Sequence, residues 1–145
     1  RLMGLPGDTL QFIDGDLYLN QNIILKTVKS KNDQLYCGNT KINVITFEEK
    51  LPNGKTYIAS YRKDYSYQNS DKFIVPEDHF FFLGDNRDCS KDSRFLSEVG
   101  YVHKNNLVGK AQILFFSSNY KIGSILKFWK WNKIMRFQRF FKKIN

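Results

Sequence analysis

A mostly-β fold is the class this sequence predicts: a β-sheet domain with an inserted variable region and a basic, aromatic C-terminal tail of helical pattern. Three observations predict it. Short apolar–polar alternations recur along the first 116 residues, broken by Asp-Gly and Asn-Gly turn signals. β-branched and aromatic residues fill those alternations, and no convincing helical period precedes residue 121. The last 25 residues then change character: they hold eight Lys or Arg and no acid.

The elements follow in order. Thr9–Ile13 and Asp16–Leu19 alternate around Asp14-Gly15, a two-residue link whose positions both favour positive φ, so a hairpin is predicted. Asn20-Gln21-Asn22 turns the chain into a strand over 23–26. Segments 41–47 and 55–61 flank Pro52-Asn53-Gly54 and predict a second hairpin. Strands over 73–76, 80–83 and 107–116 complete the set. Residues 29–40 and 62–72 are polar and poorly patterned, which predicts surface excursions and places the variable insertion at roughly 27–72. The domain reading is a core over 1–116 and a tail over 117–145.

A chain of 145 residues supports one core. Hydrophobic residues at 41% and aromatics at 16% exclude a disordered class. The formal charge of +9 sits almost wholly in the tail, because the other 120 residues carry fifteen basic and fourteen acidic groups. No apolar run approaches the ~20 residues that span a bilayer. The first residue is Arg1, so a processed or truncated stretch is expected. Cys37 and Cys89 permit one bridge at most, and free thiols are the expectation. His79 and His103 are expected to pack or face solvent rather than to catalyse or bind metal.

In the tail, Ile122, Ile125, Leu126, Trp129, Phe137, Phe140, Phe141 and Ile144 approximate one helical face, interrupted by Lys133 and Arg136. Six aromatics interleave with the eight cations. A membrane surface is the expected partner of 121–145, since aromatics favour the interface and each cation near anionic lipid is worth about 1 kcal/mol. A solvated tail is the bland alternative. Nucleic acid, the other polyanion, is not expected.

Two segments carry the chemistry. Arg1-Leu2-Met3-Gly4-Leu5-Pro6-Gly7-Asp8 reads alone as a rigid turn, with Pro6 fixing φ between two glycines. Residues 84–94, Gly-Asp-Asn-Arg-Asp-Cys-Ser-Lys-Asp-Ser-Arg, pack three aspartates, two arginines and two serines behind an apolar strand. On composition that is a solvated loop held by Asp–Arg pairs.

Together the two segments resemble the signature boxes of bacterial type I signal peptidases. The family's first box runs Lys-Arg, two apolar residues, then Gly-Leu-Pro-Gly-Asp, which Arg1 to Asp8 match apart from the preceding lysine. Its second box matches at every fixed position from Gly84 to Arg94. Val75-Pro76-Glu77 and Leu107-Val108-Gly109-Lys110-Ala111 also look like the family, so the resemblance covers about 1–116. Cys89 where Asn is frequent, His103 near a frequent proline and Leu83 for a frequent Met are departures that leave the chemistry alone.

The resemblance implies a serine endopeptidase with a Ser/Lys dyad and no cofactor, acting on preprotein signal peptides. A bacterial cytoplasmic membrane location is also implied, with the catalytic domain on the outer side and an anchor upstream of this stretch. It further implies that the nucleophilic serine and the lysine base lie before Arg1, so this piece is expected to be inactive alone. A non-catalytic membrane-peripheral module on the same fold is the alternative. Lysine has an ordinary pKa near ~10.4 and needs an apolar, uncharged setting to act as a base. By resemblance, Ser90 orients the lysine amine, Gly84 leaves room beside it, Asp92 and Arg94 pair to hold the loop, and Asp85 pairs with Arg1. Those pairs are expected to be exposed, worth ~0–1 kcal/mol each.

Overall fold

The computed structural model describes residues 1–115 and 141–143. The chain divides into two compact units, Arg1–Leu107 and Val108–Asn145.

The first unit is built from antiparallel ladders. β2 (Thr9–Ile13) and β3 (Asp16–Leu19) pair through the predicted Asp14-Gly15 turn, with Asp14 at φ 49° and Gly15 at φ 80°. Asn20 and Gln21, both at positive φ, then link β3 to the short β4 (Asn22–Ile23). β8 (Phe73–Ile74) closes this sheet in the order β4-β3-β2-β8. A second sheet runs β5-β6-β7, from Leu25–Cys37, Thr40–Lys50 and Thr56–Arg62. A third pairs β1 (Leu2–Gly4) with β9 (His79–Phe82), which in turn pairs with β10 (Val102–His103) ahead of a one-turn 3-10 helix, Lys104–Asn106.

Alternation explains the core. Leu10, Phe12 and Leu17 point inward from β2 and β3, Tyr57, Ala59 and Tyr61 from β7, and Phe81 from β9. Met3, Phe73, Val75 and Leu83 fill the space between them. Gly4 belongs to this packing, because a Cβ there would meet Leu10 Cδ1 at 2.6 Å. Leu5-Pro6-Gly7-Asp8 forms the expected turn: Asp8 N donates to Leu5 O at 3.0 Å, with Gly7 at φ 84°.

Three expectations are corrected. Residues 29–40 are not an irregular excursion but most of a long hairpin, which paired main-chain groups sustain although both faces are largely polar. Its register slips between Val28 and Asp33, where bulges add twist and bend the hairpin. That bend brings Cys37, at the tip, to a Cα–Cα distance of 5.4 Å from Cys89, and the two form a disulfide rather than free thiols. Of the strand expected over 107–116, the described residues, up to 115, keep only β11, Ile113–Leu114.

In the second unit β11 pairs with β12, Lys142–Lys143, after a turn at Phe141. The helical tail expected over 121–145 otherwise lies outside the described residues; at 141–143 the backbone is turn and strand, not helix. Among the described residues no helix is long and apolar enough to cross a membrane.

Candidate functional site

The two motif segments meet. Arg1 and Leu83 pair as strand neighbours: the Arg1 amine donates to Leu83 O at 2.5 Å, and Leu83 N donates to Arg1 O at 2.9 Å. Gly84 follows Leu83 directly, and its Cα lies against Ser90. A Cβ built at Gly84 would stand 2.0 Å from Ser90 Oγ and 2.2 Å from Ser90 Cβ, so no side chain fits at position 84 unless Ser90 moves. Ser90 is half-buried, and among the described residues its hydroxyl makes no hydrogen bond.

The loop's ion pairs set this arrangement. Arg1 Nε donates to Asp85 Oδ1 at 3.0 Å, while the Arg1 guanidinium lies 4.3 Å from the centre of the Tyr57 ring. Asp92 is buried. Its Oδ2 accepts from Gly84 N at 2.8 Å, and both of its oxygens accept from Arg94, at 2.8 and 2.9 Å. Arg94 also donates to the Arg87 carbonyl, and its guanidinium lies over the touching rings of Phe12 and Tyr67, 5.6 and 5.3 Å from their centres. The Asp92–Arg94 pair is therefore not the exposed pair expected from sequence. Its side chains are only 5% and 4% exposed, because the loop folds inward over β2 rather than out into water.

Sequence reasoning missed a second ion pair beneath the first. Arg87 is fully buried and Glu49 is 1% exposed. Arg87 Nη2 donates to Glu49 Oε2 at 2.8 Å and to Tyr57 OH at 3.0 Å. Its Nη1 reaches Tyr61 OH at 3.1 Å and its Nε reaches the Gly84 carbonyl at 3.1 Å. Both phenols donate back to Glu49. Burial pushes both phenols well above the ordinary tyrosine value, Glu49 adding to the rise and Arg87 opposing it, so they remain protonated donors. One signal was present in the sequence: Glu49 stands two positions from Phe47, on the face of β6 that packs against the core.

Main-chain contacts complete the grip of the β5-β6-β7 sheet on the loop. Ser60 N donates to Asp85 O and Arg87 N to Ser60 O, at 2.8 and 2.9 Å. Asp88 accepts from Arg62 N at 2.7 Å and from Tyr67 N at 2.8 Å. Ser93 was missed too: its hydroxyl accepts from Phe82 N at 2.9 Å and splices the loop to β9. The cross-strand rings of His79 and His103 stack edge to face, with centroids 5.0 Å apart.

Comparison with known proteins agrees with this geometry. The profile of the family described as signal peptidase, peptidase S26, matches residues 1–116. The chain is 39% identical to proteins named signal peptidase I from Rickettsia typhi (strain ATCC VR-144 / Wilmington) and Rickettsia prowazekii (strain Madrid E), over 99% of its own length and 58% of theirs. It is 38% identical to the protein of that name from Rickettsia bellii (strain OSU 85-389), covering 53% of it. The chain thus spans little more than half the length of these relatives. A match that takes in both motif segments and the sheets that carry them has one consequence: this chain belongs to the signal peptidase family, peptidase family S26.

Proposed function

We propose that the protein containing this chain is a type I signal peptidase, a serine endopeptidase that cuts signal peptides from exported preproteins with a Ser/Lys dyad. In this reading a serine attacks the scissile carbonyl and a neutral lysine takes its proton. Both residues would come from sequence before Arg1, and Ser90 would orient the lysine amine. The carrying observation is the juxtaposition of Arg1, Gly84 and Ser90. A residue preceding Arg1 would continue the strand past Gly84, toward an uncommitted hydroxyl and away from any side chain at position 84.

Substrate would bind extended along a strand edge, with small residues at the first and third positions before the cut. β1 is an edge strand of its sheet among the described residues, which suits main-chain recognition of this kind. The location proposed is the outer face of the bacterial cytoplasmic membrane. The tail over 121–145, with eight cations and six aromatics, is proposed to lie on the lipid surface.

The test is cleavage of a synthetic preprotein segment carrying small residues at those two positions. The whole gene product is expected to cut it and the 145-residue piece to leave it intact. A whole product that cuts nothing would overturn the reading, and cleavage by the piece would overturn the assignment of the dyad to upstream sequence.

A further inference from the structure

We propose that Glu49, which lies outside both motif segments, is a positioning residue for Ser90, acting through Arg87 and the Gly84 peptide. The proposal rests on the peptidase reading above and adds to it the residue that fixes the site from beneath.

The Gly84 peptide groups are held from two sides. The N–H is fixed by Asp92 at 2.8 Å and the carbonyl by Arg87 Nε at 3.1 Å. Asp92 takes its own support locally, from Arg94 two residues on. Arg87 takes its support from elsewhere in the fold. It is fully buried, and a buried guanidinium without a counter-charge is strongly disfavoured. Glu49, 38 positions away on β6, supplies that charge at 2.8 Å. Tyr57 and Tyr61 lock the pair by donating to the carboxylate while accepting from the guanidinium. Each guanidinium nitrogen of Arg87 is thereby engaged, and Nε is the one that holds Gly84.

Transmission to Ser90 is steric. Gly84 and Ser90 pack so closely that no methyl group fits between them. Removing the negative charge from position 49 leaves Arg87 to seek water, and its Nε leaves the Gly84 carbonyl. The peptide is then free to tilt and Ser90 to drift. A displaced hydroxyl admits water beside the lysine amine, and water stabilises the charged form. The amine pKa then rises, and the acid limb of the pH–kcat profile moves to higher pH.

A merely structural pair would lower stability and leave that profile in place. The experiment therefore uses the whole gene product and two variants. Glu49→Gln keeps the shape and removes the charge. The combined variant Glu49→Met, Arg87→Met, Tyr57→Phe, Tyr61→Phe replaces the whole cluster by apolar groups, which commonly restores the stability that breaking one partner removes. The expected result is a fall in kcat of about tenfold to a hundredfold in both, with KM little changed, and an acid limb at higher pH. The combined variant is expected to regain thermal stability without regaining kcat. The position of the acid limb does not depend on how much of a sample is folded, so a poorly folding Glu49→Gln still reports. If the wild type cleaves and both variants keep its acid limb and its kcat per folded enzyme, Glu49 has no positioning role. If the wild type itself does not cleave, the peptidase reading falls and takes this one with it.

Discussion

Gly84 is the residue at which geometry leaves the least freedom. Its missing Cβ would overlap Ser90, so Gly84→Ala must displace either the serine or the loop. Overpacking of this kind costs about 1–3 kcal/mol, read as a lowered urea midpoint of the 145-residue chain. A wild-type midpoint would mean that Ser90 yields freely and that its position is not held. Asp92 is the second such residue. Because the pair with Arg94 is buried, Asp92→Asn is expected to cost about 3–5 kcal/mol rather than the ~0–1 of an exposed pair. A loss below 1 kcal/mol in the same unfolding assay would show that the loop opens to water. At this scale, the resemblance to the two family boxes makes the contacts of Arg1 with Asp85, between the segments, and of Asp92 with Arg94, within the second, legible. It does not make their burial legible. Exposure depends on which way the loop folds over Phe12 and Tyr67, and no local pattern encodes that.

Among the elements, the long hairpin of β5 and β6 matters most to the site. It delivers Cys37 to Cys89, one residue before Ser90, and Glu49 to Arg87. Closing a loop across 52 positions, the disulfide is expected to contribute about 2–4 kcal/mol. Cys37→Ser should lose that amount, and a dithiol reductant should bring the wild type down to the variant's level while leaving the variant unmoved. Equal stability of wild type and variant under oxidising conditions would contradict the assignment. The short hairpin at Asp14-Gly15 is readable from sequence because two adjacent positive-φ residues specify it locally. The long hairpin is readable only in β6, whose residues 41–47 are predicted as strand; β5 carries polar residues on both faces and leaves no period of two. Its bend depends on bulges near Ser30, so the bridge at its tip is hidden as well.

For the molecule as a whole, the buried polar cluster ties the β5-β6-β7 sheet to the loop at 84–94, and it makes a prediction about alkaline pH. Tyr57 and Tyr61 have folded-state pKa values raised above the ordinary 10.0. A raised group contributes stability that is complete below its unfolded value and is lost as pH climbs toward its folded value. Thermal stability should therefore fall as pH rises past about 10, where the unfolded chain ionises and the folded chain does not. The decline should be shallower in Tyr57→Phe and Tyr61→Phe. Parallel declines in all three proteins would show that the phenols are not buried donors. The mostly-β class is legible from composition and alternation, whereas the way three sheets converge on one loop is a property of long-range packing.

The proposed peptidase reading rests on the hydroxyl at position 90, and the pH–kcat profile of Ser90→Ala in the whole gene product tests it most directly. The predicted result is a kcat lowered about tenfold or more, KM little changed, and an acid limb at higher pH than in the wild type, as water replaces the hydroxyl beside the amine. A variant with wild-type kcat and an unmoved acid limb would contradict it.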